Sequence, residues 1–366
     1  MSQRLLAANQ RSVAAAAYGT ERIRLLQDRA VLLARLGRVA EAERTLAEAE
    51  QQMQADAPRA LKHRFAYVRA ISCYFSNRFS DAQCAMYDAL REARKANEPI
   101  LIAECESALA LFMQREGDVR AALAHARSVL ANGDATLEAR YRASLALASM
   151  HQDAHDYETA YRLYRETHNV VKDLDDEIAM ASWLQRAALA KAAHARQSAG
   201  RGELDKPGVK LAIAELQRCI DYAKQVPDGP TTTLDHLLLA EMYVLQNRYQ
   251  QALALYDQHL PQCEGDGFLH ECTVAMADRA NCLLQLGETD AGYAQAVSAW
   301  RRLDESTPAD IRAIVHENMA AALEAVRQTS QARQHRTMAL AAWDAHSHEQ
   351  SETRRLLHEN TLTTLH

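Results

Sequence analysis

The 366-residue sequence is poor in the residues that bend a chain, with 12 glycines and 7 prolines. So few turn-formers exclude a β-sandwich or barrel, and the abundance of Ala, Leu, Arg, Glu and Gln favours helices. Long apolar runs are missing too. No window approaches the ~20 apolar residues that span a bilayer, and the amino terminus, MSQRLLAANQR, has no apolar core behind its basic residue. A cytoplasmic, unsecreted chain with no membrane partner is the expectation. Clustered positive charge is also lacking. The formal charge is −6 and the pI about 6.2, which argues against a nucleic-acid partner, since that affinity comes largely from grouped Lys and Arg. Seven cysteines, an odd number scattered from Cys73 to Cys282, do not form the framework of a small secreted domain and fit reduced thiols.

Catalytic signatures are equally scarce. The sequence carries no phosphate-binding glycine loop, dinucleotide fingerprint or nucleophile elbow, and His316-Glu317 lacks the second histidine of a zinc-protease helix. His259, Cys263, His270 and Cys272 lie close together, but without a paired C-x-x-C the spacing tells against zinc, and Cys272 is expected to face a packing surface. His151 and His155 are spaced by four, with His155 at a turn, so their rings are expected to diverge. The expectation is a chain with no cofactor, no metal and no chemistry of its own.

What is present is a period. Small residues recur at Ala42, Ala82, Ala122, Ala160, Ala252, Gly292 and Ala332, in steps of 40, 40, 38, 92, 40 and 40 residues. The long step hides one more unit, with a first helix near 177–197, a second near 209–225, and SAGRGELDKPG as an inserted loop over 198–208. A second small residue precedes each turn at a fixed offset: Ala30, Ala70, Ala110, Ala148, Ala188, Ala240, Ala280 and Ala320. Small side chains at both places let paired helices approach closely, and larger ones between them fill the space between units. Leu46, Met86, Tyr164 and Tyr256 share one such packing position. The expected architecture is all-α: a right-handed α-solenoid of about eight helix-turn-helix units over 23–340, a capping helix over 1–22 carrying Leu5, Leu6 and Val13, and a capping or linker helix over 341–366.

These units resemble the tetratricopeptide repeat family. Phe79, Tyr157 and Tyr249 match its aromatic position, and Ala49, Ala89, Ala299 and Ala339 its third small position. The familiar unit has about 34 residues, so units of 40 resemble the longer repeats of bacterial signalling proteins. The resemblance implies a concave groove lined by first helices and a protein or peptide partner. It places Arg64, Tyr67, Tyr74 and Phe75 on that groove as an aromatic and basic strip, followed by Arg142, Gln152, Gln185 and Arg186 as donors to a carboxylate or backbone. Asn281 and Asn318 fall on the asparagine places of the family's carboxylate clamp, with Arg354 and His358 on the third-repeat places if the step continues, whereas Ala277 replaces a basic residue. The carboxy-terminal stretch SHEQSETRRLLHENTLTTLH resembles the helix that links such repeats to a diguanylate cyclase of the GGDEF type, and it offers a surface for a homodimer. The function implied is a non-catalytic scaffold or sensory module. The alternative is a peptide-pheromone receptor similar to the bacterial response-regulator phosphatases.

Overall fold

The computed structural model describes residues 2–16, 19–53, 57–200, 204–226, 232–265 and 268–359. Among them are seventeen helices and no strand. α1 (Ser2–Ala15) is followed by eight antiparallel pairs: α2 (Thr20–Arg35) with α3 (Val39–Gln51), α4 (Arg59–Phe75) with α5 (Phe79–Lys95), α6 (Pro99–Glu116) with α7 (Val119–Ala131), and α8 (Leu137–Asp153) with α9 (Tyr157–Asp173). Then come α10 (Glu177–Gly200) with α11 (Lys206–Ala223), α12 (Thr233–Leu245) with α13 (Tyr249–Cys263), α14 (Leu269–Gln285) with α15 (Thr289–Trp300), and α16 (Ala309–Ala325) with α17 (Thr329–Glu359). None of these helices is long and apolar enough to cross a membrane.

One turn chemistry makes seven of the eight pairs. Gly37, Asn77, Gly117, His155, Asn247, Gly287 and Arg327 all adopt left-handed backbone with φ between 56 and 86°. Each closes two bonds to the helix before it. In the first pair Gly37 N–H donates to Ala34 O and Arg38 N–H to Leu33 O, and in the eighth Arg327 donates to Glu324 O and Gln328 to Leu323 O. This double closure satisfies carbonyls that the helix end would otherwise leave unpaired. It also reverses the chain with the same pair of bonds in unit after unit.

The turn sets the two rows of small residues against each other. Every first-row alanine and every second-row alanine is buried, and so are Leu46, Met86, Tyr164 and Tyr256 between them. At Gly292 even a methyl is excluded, because an added Cβ would meet Leu284 Cγ and Cδ2 at 2.8 Å. The residues by which these units exceed the familiar length lie in helix: α4, α5, α8 and α9 run 17 residues each.

The loop expected over 198–208 is shorter at both ends: α10 runs 24 residues to Gly200, α11 begins at Lys206, and 201–203 lie outside the described residues. The alanine-rich KAAHARQ segment has no breaker, and proline is tolerated in the first turn of α11. The last helix runs through position 340 without a break. α17 is one 31-residue helix whose first half packs on α16 and whose last turns reach α7 and α8. Residues 360–366, where continued helix was expected, lie outside the described residues. At the other end α1 does cover α2, with Leu6 and Val13 buried and the Asn9 amide donating to Leu25 O at 3.0 Å.

Candidate functional site

The first helices line the concave side, and in the first five units that side is occupied by its own charges. Arg64 reaches Asp28 at 2.8 Å and Glu104 at 3.1 Å. Arg35 spans from the first unit to Asp176 at 2.7 Å, at the start of the fifth, and to Glu138 at 3.5 Å. Arg142 donates to Glu138 at 3.0 Å and to Ser107 Oγ at 3.0 Å. Three guanidiniums thus meet four carboxylates. Burial pushes Asp28 and Glu104 up from the usual carboxylate range against the pull of Arg64, while the Arg142 charge holds Glu138 below it. Tyr67, only 2% exposed, closes this network beside Arg142, and burial raises its phenol well above the ordinary value. Removing one member would leave its partners short of a counter-charge, although Asp28 and Glu138 keep 37% and 43% of their side chains in water, and the network ties the first five units together.

Arg64 and Tyr67, expected in a strip with Tyr74 and Phe75, instead share one network with Arg142, which was expected farther along the groove. Tyr74 and Phe75 do not join them. At the end of α4, Tyr74 stacks on Phe112 at 4.5 Å and meets Phe79 edge-on, and Arg115 lies 3.9 Å over the Phe79 ring. Gln152 is buried, accepting from the Tyr164 hydroxyl at 3.0 Å. Arg186 donates to Ser149 Oγ at 2.9 Å, and Gln185 to Asp235 at 3.3 Å. Asn281 accepts from Gln285 at 3.4 Å within its own helix. Asn318 donates to Asp278 at 3.4 Å and to Ile314 O at 3.1 Å. The clamp's remaining members lie elsewhere. Arg354 and His358 are on α17 and sit against the α8–α9 corner, because no further first helix continues the step among the described residues.

The open part of the concave side lies in the second half, between α10, α12, α14 and α16. A cleft of about 230 Å³ has a wall of Leu234, Leu238, Val274, Ile311 and Ile314. The same cleft is lined by Arg196, Glu241, Asp278, Tyr256, Glu271 and Asp310. Arg196 pairs with both Glu241 and Asp278, so one cation serves two carboxylates. Burial raises Glu241 in spite of Arg196, and the nearby Asp278 adds to the rise. Of the sequence candidates only Asn318 touches this group. Arg196, Glu241 and Asp278 were missed because they stand on three separate helices and converge only when α10, α12 and α14 stack. The one available signal was an arginine and two acids on the first helices of successive units, near the buried Ala240 and Ala280.

The cysteine and histidine group at α13–α14 gathers no ligand set. Cys263 and Cys272 are buried, Cys263 donates to Phe268 O, and His259 stacks on His236 at 3.9 Å. Among the described residues no three His, Cys, Asp or Glu are grouped to hold a metal.

No protein-family model and no curated protein matches the sequence. Solved structures do match. A Rap protein complexed with Competence and Sporulation Factor superposes with a TM-score of 0.59 at 13% identity, covering 95% of this chain and 94% of that one. The apo quorum sensor NprR from B. thuringiensis gives 0.56 at 12% identity over 93% of each chain. A signal transduction ATPase with a tetratricopeptide repeat sensor, from Pyrococcus horikoshii, gives 0.55 at 11% over 93% of this chain and 54% of that one. At such identities the likeness concerns architecture, and the architecture of this chain is an all-helical solenoid of the tetratricopeptide type.

Proposed function

We propose that the chain is a non-catalytic receptor or scaffold that binds a peptide, or an extended segment of a protein, in the second-half cleft. The observation that carries this is a single cleft lined both by an apolar wall of Leu234, Leu238, Ile311 and Ile314 and by two carboxylates that share Arg196. A ligand bringing a cation next to an apolar side chain would supply the second positive charge and cover the wall. The Rap protein of similar fold was crystallised with Competence and Sporulation Factor, which favours the receptor reading over an input segment for a diguanylate cyclase. That second role rests on α17 as a linker, whereas the last described turns of α17 lie on the α8–α9 corner.

Selection of a random peptide library on the wild-type chain, with counter-selection on Ile311→Asp and Asp278→Asn, tests the proposal. Enriched peptides should pair Lys or Arg with a neighbouring apolar residue and lose at least tenfold in affinity on either variant. Peptides that bind both variants as well as wild type would rule the cleft out. A homodimer through α17 has one observation in its favour, the exposed Met338 and Leu340. Sedimentation equilibrium should show dimers that Leu340→Lys dissociates, and a monomer at all concentrations would dismiss the idea.

A further inference from the structure

In seven units the residue just before the small residue of the first helix is large: Arg29, Arg69 and Arg279 are arginine, Leu109, Leu147 and Leu239 leucine, and Met319 methionine. The seventh unit shows what such a residue does. Arg279 on α14 reaches Asp257 on α13 at 2.8 Å and Gln295 on α15 at 3.1 Å, and so bridges two successive second helices. In the fifth unit the same place holds Ala187. There a slot of about 500 Å³ remains between α9 and α11, lined from α10 by Trp183, Ala187, Lys191, His194 and Ala195. Ala195 stands seven residues after Ala188, where the other units make their left-handed turn, and α10 instead continues to Gly200. The wall of the slot thus runs past the point at which the other first helices end.

The bridging partners differ as well. Asp257 lies five residues after Ala252, and five residues after Ala160 stands Arg165, a cation in place of the acid. Gln295 lies three after Gly292, and its counterpart Glu215, three after Ala212, is taken by Lys191 at 2.8 Å. Glu158 is two turns before Arg165 on α9, about 10 Å along the axis, and Asp205 acts on Tyr161 of the same helix. Glu158, Arg165 and Asp205 all line the slot, and among the described residues none of these three side chains is held in an ion pair or hydrogen bond. The aromatic walls are fixed. Trp183 donates to Tyr164 O at 3.0 Å and stacks on His168 at 4.4 Å, and the Tyr161 hydroxyl lies 3.1 Å from His194 Nδ1. A ligand therefore has little of this wall to order.

We infer that the slot is a second binding site, for an elongated zwitterion of the size of a tripeptide, with its amine at Glu158 and Asp205, its carboxylate at Arg165 and an apolar side chain over Ala187. A guanidinium without an acid selects a carboxylate, and two carboxylates without a cation select an amine. Three extended residues span about 10 Å, which matches the two turns that separate Glu158 from Arg165. The volume is that of a small-molecule pocket. The slot shares no lining residue with the second-half cleft, so it stands whether or not that cleft takes a peptide.

Isothermal titration of the full chain with Ala-Leu-Ala, Ala-Phe-Ala and Ala-Trp-Ala, each with free termini, tests this. At least one should bind saturably at a single site, and acetylating its amine or amidating its carboxylate should each weaken it at least tenfold. Arg165→Ala, at an exposed position, should cost the free peptide at least tenfold and leave the amidated one unchanged. Ala187→Leu, which restores the leucine of three other units, should keep the wild-type circular dichroism and abolish binding. Asp278→Asn, in the other cleft, should leave the affinity as it is. The site would be overturned if none of the three peptides bound or if the blocked forms bound as well as the free ones. Binding that survived Ala187→Leu, or that was lost in Asp278→Asn, would overturn it equally.

Discussion

Left-handed backbone is cheap for glycine, tolerable for asparagine and strained for most other residues, so the seven equivalent turns differ in how well each sequence suits them. Arg327, with φ 63°, is the poorest match. Replacing it with glycine should raise the free energy of unfolding by up to ~1 kcal/mol, whereas Asn77→Gly should change it little. Urea denaturation read by circular dichroism distinguishes the two. The paired small residues set the opposite constraint. Ala252→Leu or Ala280→Leu, both fully buried positions, should destabilise by ~1–3 kcal/mol through overpacking. Gly292→Ala should destabilise despite the better helix propensity of alanine, because Leu284 occupies the space. In a Leu284→Ala background the same change should cost less, with only the Ala280 carbonyl at 3.1 Å still close, and a double-mutant cycle measures the difference.

Between elements, polar side chains on first helices are engaged with one another, and that changes what their removal should do. Read from the sequence, Arg186 is a solvated binding residue whose loss leaves folding alone. In the structure it donates to Ser149 Oγ, so Arg186→Ala is expected to be mildly destabilising. Arg142→Ala should be somewhat worse, by ~1 kcal/mol, since it removes the donor to Ser107 and one of the two cations at Glu138, whose side chain is 43% exposed and keeps Arg35. A single carboxyl at the α10–α12 contact gives a pH signature. Asp235 is 2% exposed, one of its oxygens has no partner, and burial pushes it up to about 6 from 3.8. A raised carboxyl means that the folded state holds its proton more tightly than the unfolded one. Its destabilising effect is therefore fully present above about pH 6 and is relieved as pH falls through that value toward 3.8. Asp235→Asn should stabilise the chain at pH 7.5 by on the order of 1–3 kcal/mol and flatten the stability profile between those limits. Denaturation midpoints at pH 4.5 and 7.5 provide the check. A variant no more stable than wild type at pH 7.5 would show that Asp235 carries no such strain.

At the scale of the whole chain, contacts skip several units. Arg35 ties the first unit to the fourth and fifth, and α17 ties the eighth to the third and fourth. A solenoid held only by neighbours frays unit by unit, but these cross-ties couple distant units. Arg35→Ala should therefore speed amide exchange in α8 and α10 as well as in α2, while α14 and α16 keep their protection. Faster exchange confined to α2 would mean that the tie carries no load.

The sequence alone determined the helical class, the eight units, and which alanines are buried, because helix pairing is local and repeats a spacing that a single chain displays. Five of the seven left-handed turns also leave a mark in the sequence as Gly or Asn, whereas His155 and Arg327 do not. Tertiary structure decided the rest. Whether Arg64 and Arg142 meet a ligand or Glu104 and Glu138 depends on how far the superhelix curls, and that angle accumulates over many interfaces, each too small to read. The same curl gathers Arg196, Glu241 and Asp278 into one cleft and carries Leu357 back to Met150. Residues 200 positions apart become neighbours only after every intervening unit has turned, so no spacing in the sequence records the contact.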